Sequence, residues 1–361
     1  LNNLTYKSEN EIKIGTKVKV KLQQRKILNE AVVIKQVEKP SFKCSDILEI
    51  TNEYFDEKML QIATFVSLYY VCSLGEALSV YHCFDRNIVK IFDEEKFDSQ
   101  ITLSDKQKEA KIFLDEKRQA LLFANTGAGK TEIYIKIIEE HLNQKKQALL
   151  LMPEISLTPQ MQKRLEKVFG KSVAIWHSKI TKKKKEEILK GLQEGSIKLI
   201  AGARSALFLP FVNLGFIVVD EEHEQTFKQH DPAPRYHARD AAIVLAKQHG
   251  AKVVLGSATP SLETYYNVQS NKYGLTELKV RYGNVVLPEI QLVDLKDKYF
   301  RKKMSGHFSD ELLEEITETL SKGEQVILFQ NRRGFSPYVE CMTCGHVPHC
   351  PSCDVSLTYY K

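Results

Sequence analysis

Near the start of the chain, Val18, Val20 and Leu22 alternate with Lys17, Lys19 and Lys21. A period of two sends one set to each face of a strand, so the stretch predicts a half-buried strand with a basic outer face. The apolar run at residues 31–34 predicts a second strand. From about residue 56 to residue 84 the spacing becomes helical, through Leu60, Ala63, Phe65, Leu68 and Val71, and residues 84–101 read as a charged connector. Beyond it, short apolar runs at residues 120–124, 148–152, 173–176, 199–201, 216–219 and 253–255 alternate with helical stretches. Repeated in this way, strand and helix imply a mostly parallel sheet covered by helices, because each parallel connection has to cross back over the sheet. A further helix, capped by Ser309 and carrying Leu312, Leu313, Ile316 and Leu320, stops at Gly323. The run at 326–329 is expected to open a second sheet. No internal repeat or low-complexity tract interrupts the pattern.

Composition narrows the class. At 361 residues, with 43% hydrophobic and 27% charged positions, the chain has the makeup of a globular protein of roughly two or three domains. Its longest apolar runs, at 216–219 and 148–152, are far below the ~18 residues that span a bilayer, so no membrane role is expected. No charged-then-apolar leader opens the chain and residue 1 is Leu; the natural start is expected to be trimmed and the location cytoplasmic. The excess of 52 Lys+Arg over 46 Asp+Glu, a net +6, favours a polyanionic partner. Of seven cysteines, Cys44, Cys72 and Cys83 are scattered, whereas Cys341, Cys344, Cys350 and Cys353 form two C-x-x-C pairs near the end. Clustering of that kind points to metal rather than disulfides in a reducing compartment.

The chemistry begins at NTGAGKT, residues 125–131, between a predicted strand and a helix bearing Ile133, Ile137 and Ile138. Glycines let backbone N–H groups turn inward around phosphates, and the helix N-terminus adds partial positive charge. The predicted nucleotide contacts are Ala124, Asn125, Thr126, Gly127, Ala128, Gly129, Lys130 and Thr131, with Lys130 on the β- and γ-phosphates and the Thr131 hydroxyl on Mg²⁺. Ala124 stands where the usual pattern has its first glycine. The second element is VVDEEH at 218–223, a strand end that would deliver Asp220 to Mg²⁺ and Glu221 to the attacking water. Lys130, Asp220 and Glu221 are therefore the candidate catalytic residues. Gln107 has two readings: a contact to adenine, or the third residue of a Ser104-x-x-Gln107 capping box.

Together these residues resemble superfamily 2 helicases and, within them, the PriA family of primosomal replication-restart helicases. The likeness is carried by LMPEISLTPQ at 151–160, WHS at 176–178, GARSALF at 202–208, DEEH at 220–223, GSATP at 256–260 and NRRGF at 331–335. It implies an α/β fold: a RecA-like P-loop helicase lobe with a mostly parallel sheet at residues 101–278. A small β-rich domain that captures DNA 3′ ends would precede it at 1–50, followed by a helical connector, a reduced winged-helix region, at 51–100. The start of a second RecA-like lobe would follow at 279–340, with a partial zinc-binding module at 341–361. The implied activity is ATP-dependent 3′-to-5′ DNA unwinding that recognises stalled or forked DNA and initiates primosome assembly. Implied partners are forked and single-stranded DNA, single-strand-binding protein and other primosome proteins, including the loader of the replicative helicase, with the protein a monomer. Two rivals remain: a translocase that moves on DNA without unwinding it, and a fork-binding scaffold that does not hydrolyse ATP.

The resemblance also assigns residues. Arg204 and Ser205, with Pro153 and Glu154, would face the single strand, and Ser257 to Thr259 would couple it to ATP hydrolysis. Phe227, Lys228, Arg235 and Tyr236 mix rings with cations where the family places a DNA-sensing aromatic loop; without the family, the segment reads as a solvated loop. The lysine run at 182–185 reads either as a phosphate patch or as a solvated helix face. In the N-terminal part IGTKVKV at 14–20 matches, but Leu4-Thr5-Tyr6 replaces the family's aromatic-Asp-Tyr step, which removes an acidic contact.

In each C-x-x-C pair, the spacing lets a tight turn present both thiolates to one tetrahedral Zn²⁺. Only five residues separate Cys344 from Cys350, an awkward link for one complete site, although His346 and His349 could complete a makeshift one. In the family each pair serves its own ion, two Zn²⁺ in all, completed by cysteines downstream of this sequence. The arginines that stabilise charge on the γ-phosphate, worth ~10³ or more in rate, are likewise expected beyond Lys361, since Arg332 and Arg333 match only the start of the second lobe. The chain is thus expected to bind ATP better than it hydrolyses it.

Overall fold

The computed structural model describes residues 4–22, 28–90, 95–156, 158–279, 288–329, 338–341, 343–344, 346–350 and 356–357. The chain divides into two units, residues 1–285 and 286–361.

In the N-terminal part, β1 (Tyr6–Lys7), β2 (Thr16–Lys21), β3 (Leu28–Val32), β4 (Ser45–Asp46) and β5 (Glu49–Tyr54) are followed by α1 (Glu57–Tyr69), α2 (Leu74–Ser79) and β6 (Phe84–Asp85). Four of these strands pair antiparallel in the order β3-β2-β5-β6. The predicted alternation is present: Thr16, Val18 and Val20 are buried and the lysines lie on the other face. That face is not bare positive charge, however. Lys17 meets Glu30 and Glu53, each at 2.8 Å, and Lys19 meets Glu49 at 2.9 Å. The acids come from the neighbouring strands β3 and β5, so only tertiary pairing reveals the neutralisation. The boundary expected at residue 50 falls inside β5, and β6 returns to the same sheet after the two helices. α1 starts at the Asp56 cap, which accepts from the Met59 N–H, and buries Met59, Ile62, Ala63 and Val66, one stripe at helical spacing.

The N-terminal part shares its core with the α/β part. The His82 N–H donates to the Phe208 carbonyl at 3.0 Å, and the Tyr81 and Phe208 rings meet edge-on at 4.8 Å. Phe55, Met59, Val66 and Tyr81 belong to the same apolar cluster as Phe208, Phe227, Tyr236 and Ala241.

The α/β part runs α3 (Asp105–Glu116), β7 (Gln119–Ala124), α4 (Lys130–Asn143), β8 (Gln147–Leu151), α5 (Pro159–Phe169), β9 (Val173–Trp176), α6 (Lys182–Glu194), β10 (Leu199–Gly202), β11 (Leu214–Asp220), α7 (Ala238–His249), β12 (Lys252–Ser257), α8 (Leu262–Gln269) and β13 (Gly274–Leu278). Its sheet is parallel throughout, in the order β13-β7-β12-β11-β8-β10-β9. Every residue of β8, β10 and β11 is buried. Helices on both faces leave no solvated side, which is why these strands read as continuous apolar runs rather than alternations. β7, β12 and β11 are adjacent in the sheet, so the loops at their carboxyl ends open on one crevice, the usual ligand position in such sheets. β13 is an edge strand that the apolar runs did not announce. Its Thr276 and Glu277 are tolerated because only one side of the strand is paired.

The second unit holds α9 (Leu295–Phe300), the antiparallel pair β14 (Met304–Ser305) and β15 (Phe308–Ser309), and α10 (Asp310–Ser321). The Ser309 cap is present, its hydroxyl accepting from the Leu312 N–H. The expected strand at 326–329 is not. These residues carry no regular structure, with Ile327 94% and Phe329 87% exposed. A strand needs a neighbouring edge for its N–H and C=O groups, and none lies beside this run among the described residues. No helix among the described residues is long and apolar enough to cross a membrane.

Candidate nucleotide and nucleic-acid site

A cavity of about 640 Å³ opens over the carboxyl ends of β7 and β11, lined among others by Gln107, Thr126, Gly129, Lys130, Thr131 and Glu221. The loop from Asn125 to Gly129 turns from β7 into α4. Its start is tied to the sheet edge, with the Asn125 N–H on the Leu278 carbonyl at 3.0 Å and the side-chain amide on the Lys279 carbonyl at 2.6 Å. Ala124 is the last residue of β7 and fully buried, packed into the strand rather than exposed to a ligand. Gly129 has φ +86°, and a Cβ there would come within 2.2 Å of Gln107 Nε2. Glycine is favoured there by the left-handed backbone, and a Cβ would also make the Gln107 carboxamide shift from the loop.

Gln107 spends both ends of its carboxamide. Its Oε1 accepts from the Ser104 N–H at 2.9 Å, which is the capping box, while Nε2 reaches the Ala128 and Gly129 carbonyls at 3.3 Å each. The capping reading is met, and the same residue braces the loop.

On the facing side, Lys130 Nζ lies 2.9 Å from Glu221 Oε1. Asp220 Oδ1 accepts a 3.0 Å bond from the Tyr134 hydroxyl of α4. Burial first, then the adjacent Glu221 charge, pushes the Asp220 carboxyl up to about 6. Two carboxylates crowded at a dry strand end are a donor set that a hard divalent cation would relieve. Tyr134 gets its place because Gly256 of β12 has no side chain: a Cβ there would fall 1.7 Å from the hydroxyl. Glu221 stands at φ +49°, a left-handed position that a non-glycine residue rarely holds.

Several contributors went unread in the sequence. Glu222 is completely buried and takes bonds from Arg239 Nη1 at 3.1 Å, the Ser261 N–H at 2.7 Å, the Ser261 hydroxyl at 3.0 Å and the Thr264 hydroxyl at 2.8 Å. It locks the end of β11 to the starts of α7 and α8. His223 Nδ1 lies 2.7 Å from the Ser257 hydroxyl and its Nε2 lies 3.3 Å from the Thr259 hydroxyl, which joins the acidic motif to the GSATP turn. Arg164 pairs with Glu132 at the cavity wall. In sequence Glu222 is one of three consecutive acids at 220–222 and Arg239 stands next to Asp240, so nothing along the chain pairs the two with each other.

The expected DNA contacts divide. Arg204 is half-buried with Nη1 on the Thr226 carbonyl at 2.9 Å, and Ser205 is exposed. Arg235 is exposed and donates from Nε to the His230 carbonyl at 2.8 Å. Lys228 bonds the Arg235 carbonyl and lies over the Tyr70 ring. Phe227 and Tyr236, read as base-stacking rings, are each 1% exposed and sit in the core with Phe208. Exposing one such ring forfeits about 1.5–3 kcal/mol of burial, as much as stacking on a base returns, ~1–3 kcal/mol. The expectation for these two rings is thus corrected: they are packing residues that shape the loop. The lysine run at 182–185 is the first turn of α6, where Lys182 and Lys184 face Glu186 and Glu187 and Lys185 lies over Trp176, as a solvated helix face does.

Of the cysteine pairs, Cys341 and Cys344 are exposed and Cys350 is half-buried; Cys353 lies outside the described residues, as do Arg332 and Arg333. Backbone N–H groups of Cys344 and Thr343 hold the Cys341 thiol below its ordinary pKa, and the Cys341 N–H closes the turn on the His346 carbonyl at 2.9 Å. Such a knuckle suits a thiolate ligand. Among the described residues no group of three or more His, Cys, Asp or Glu side chains converges, so His346 and His349 do not complete a site there.

Known proteins share both parts of this arrangement. The DEAD/DEAH box helicase family matches residues 104–268, and the family described as 3'DNA-binding domain (3'BD) matches residues 2–82. A replication restart protein PriA of Bacillus subtilis (strain 168) is 48% identical over 247 residues, covering 68% of this chain and 30% of the relative. Another, of Helicobacter pylori (strain ATCC 700392 / 26695), is 37% identical over 358 residues, covering 99% of this chain and 55% of the relative. Among solved structures, RecG bound to a three-way DNA junction matches with a TM-score of 0.44 at 18% identity, covering 74% of this chain and 34% of that one. The chain spans about half the length, or less, of the curated relatives it matches.

Proposed function

Since this chain belongs to the family of replication restart protein PriA, we propose that it is the ATP-binding and DNA-binding part of a 3′-to-5′ DNA helicase that engages forked DNA and initiates primosome assembly. One observation carries the ATP reading: Lys130, Asp220 and Glu221 converge on the mouth of a glycine loop whose backbone is already braced by Gln107.

Each residue has a task in that chemistry. N–H groups of the loop and the first turn of α4 cradle phosphate oxygens, and the ammonium of Lys130 exchanges Glu221 for phosphate. Thr131 and Asp220 would hold Mg²⁺, which supplies charge neutralisation on the phosphates. Glu221, released from Lys130, accepts a proton from the attacking water. Glu222 holds that backbone in place, and His223 passes a change at Glu221 to Ser257 and Thr259. On the DNA side, Arg204, Ser205, Lys228 and Arg235 supply the polar and cationic contacts, with Phe227 and Tyr236 as their support. The Cys341 knuckle fits one half of a zinc site, and each cysteine pair would serve its own structural Zn²⁺. Single-strand-binding protein and the loader of the replicative helicase are the proposed protein partners.

The test is ATP turnover with and without forked DNA bearing a 3′ end at the branch, beside Lys130→Ala, with strand displacement read in parallel. Fork-stimulated turnover lost in the variant supports the reading. Turnover without displacement favours a translocase, and fork and nucleotide binding without turnover favours a scaffold. Turnover indifferent to Lys130→Ala would refute the assignment.

A further inference from the structure

The rings predicted to face DNA are buried, yet a different set beside them is open. At the end of α1, Leu68 is 76%, Tyr69 64% and Val71 90% exposed. The Tyr69 ring stacks on Phe65 at 5.2 Å and 20°, and meets Tyr70 edge-on at 4.9 Å. The Lys228 ammonium sits 5.1 Å from the Tyr70 ring centre, and its Nζ bonds the carbonyl of the exposed Arg235. A continuous row thus runs from the aromatic end of α1 to the cations of the loop after β11.

The helix end is shaped to hold this ledge. The Tyr70 and Cys72 N–H groups close on the Val66 and Ser67 carbonyls at 3.0 Å each, and the Ser67 hydroxyl donates to the Cys72 carbonyl at 2.7 Å. This termination forces Val71 to φ +51°, where glycine is the usual residue and a β-branched side chain is a genuine outlier. A strained valine with 90% of its surface in water does nothing for packing, which directs attention to what it presents.

We propose that the end of α1, with Tyr69 as its open ring, Leu68 and Val71 as its apolar shoulders and Lys228 and Arg235 as flanking cations, is a stacking platform for single-stranded DNA. Rings edged by cations match a strand, which offers a flat base and a phosphate in alternation. A protein interface would need a broader apolar face than these few residues supply. Of the neighbouring carboxylates, Asp240 is bonded by Arg239 Nε at 2.9 Å and Glu76 is turned onto the Ser73 cap, while the exposed Asp231 lies 3.9 Å from Arg235 Nη2, a surface pair that a phosphate would displace at little cost. The proposal rests on the DNA-helicase reading and adds to it a contact on the N-terminal part.

Fluorescence anisotropy with a labelled oligothymidine tests it, with nucleotide binding measured beside it. Tyr69→Ala is expected to bind the strand roughly tenfold more weakly, the worth of one stacked base, with nucleotide affinity unchanged. Tyr69→Phe keeps the ring and is expected to restore affinity. Val71→Gly relieves the strained backbone, so it is expected to melt at a higher temperature and still bind the strand less tightly. Equal affinity in Tyr69→Ala and the parent chain would overturn the platform while leaving the helicase reading intact. A changed association state with unchanged strand affinity would mark the ledge as a protein contact and overturn it as well. No strand binding by the parent chain would remove both.

Discussion

The glycine loop at 125–131 and the aromatic loop at 227–239 both lie at strand ends of one sheet, but the first was read from its residue types and the second from the family resemblance, its residues alone reading as a solvated loop. In the glycine loop the reading includes Thr126, Gly127, Gly129, Lys130 and Thr131, which line the cavity, and also Ala124, Asn125 and Ala128, which are not among its lining residues. The overlap arises because the chemistry there is done largely by backbone and by short tethers from it. Gly129, Lys130 and Thr131 sit where strand, turn and helix must place them. In the aromatic loop the chemistry depends on which way each side chain points, and the core takes Phe227 and Tyr236 while Arg235 is exposed and Lys228, half-buried, lies over the Tyr70 ring. Spacing therefore locates a backbone-built site, but it does not separate a ring that binds from a ring that packs.

The largest expected effect lies between the two loops. Glu222→Ala leaves Arg239, whose side chain is 9% exposed, without its buried partner, and the unfolding midpoint in denaturant should fall by an amount equal to about 3–5 kcal/mol. A loss below about 1 kcal/mol would mean that the clamp joining the acidic motif to the aromatic loop is dispensable, and the comparison would lose its hinge.

The next effect is on pH. Asp220 is raised to about 6, so in the folded chain ionising it is opposed by burial. The sign is the reverse of a salt-bridged acid: the group weakens the fold above about pH 6, and that penalty disappears as pH falls toward the ordinary carboxylate range. Mg²⁺ requires the ionised form, so Mg²⁺-dependent nucleotide affinity, read by titration calorimetry, is expected to fall up to about tenfold per pH unit below about 6. A flat profile from pH 7 to 5 would take Asp220 out of the metal site.

Smaller still, Phe227→Leu is expected to cost about 1 kcal/mol of stability with strand affinity unchanged, because the ring packs and does not stack on bases. A strand-affinity loss exceeding the stability loss would restore Phe227 as a contact. Smallest is Lys182→Ala, with stability and strand binding both expected within about 0.5 kcal/mol of the parent chain.

Much of the fold was legible. Six apolar runs became β7 to β12, and the Ser104 and Ser309 caps start helices where their patterns place them. What escaped has physical reasons. β13 is an edge strand with Thr276 and Glu277, so its composition lacks the signal that two-sided burial imposes. Lys17 and Lys19 looked like a basic face because the glutamates that neutralise them arrive from β3 and β5. The run at 326–329 has strand composition without a neighbouring edge, and composition alone does not make a strand. Glu222 and Arg239 are separated by most of the aromatic loop, and their pairing is visible only once β11 and α7 are packed together.

Everything proposed for ATP depends on the convergence of Lys130, Asp220 and Glu221 around the glycine loop, and the most direct measurement is calorimetric binding of a non-hydrolysable ATP analogue with Mg²⁺ to the parent chain and to Lys130→Ala. The predicted result is binding by the parent chain and affinity reduced about 100-fold in the variant, the worth of a charge-assisted contact to phosphate in a sheltered site. Equal affinity in a variant with unchanged melting would contradict the assignment, because the phosphates would then lie somewhere other than over Lys130.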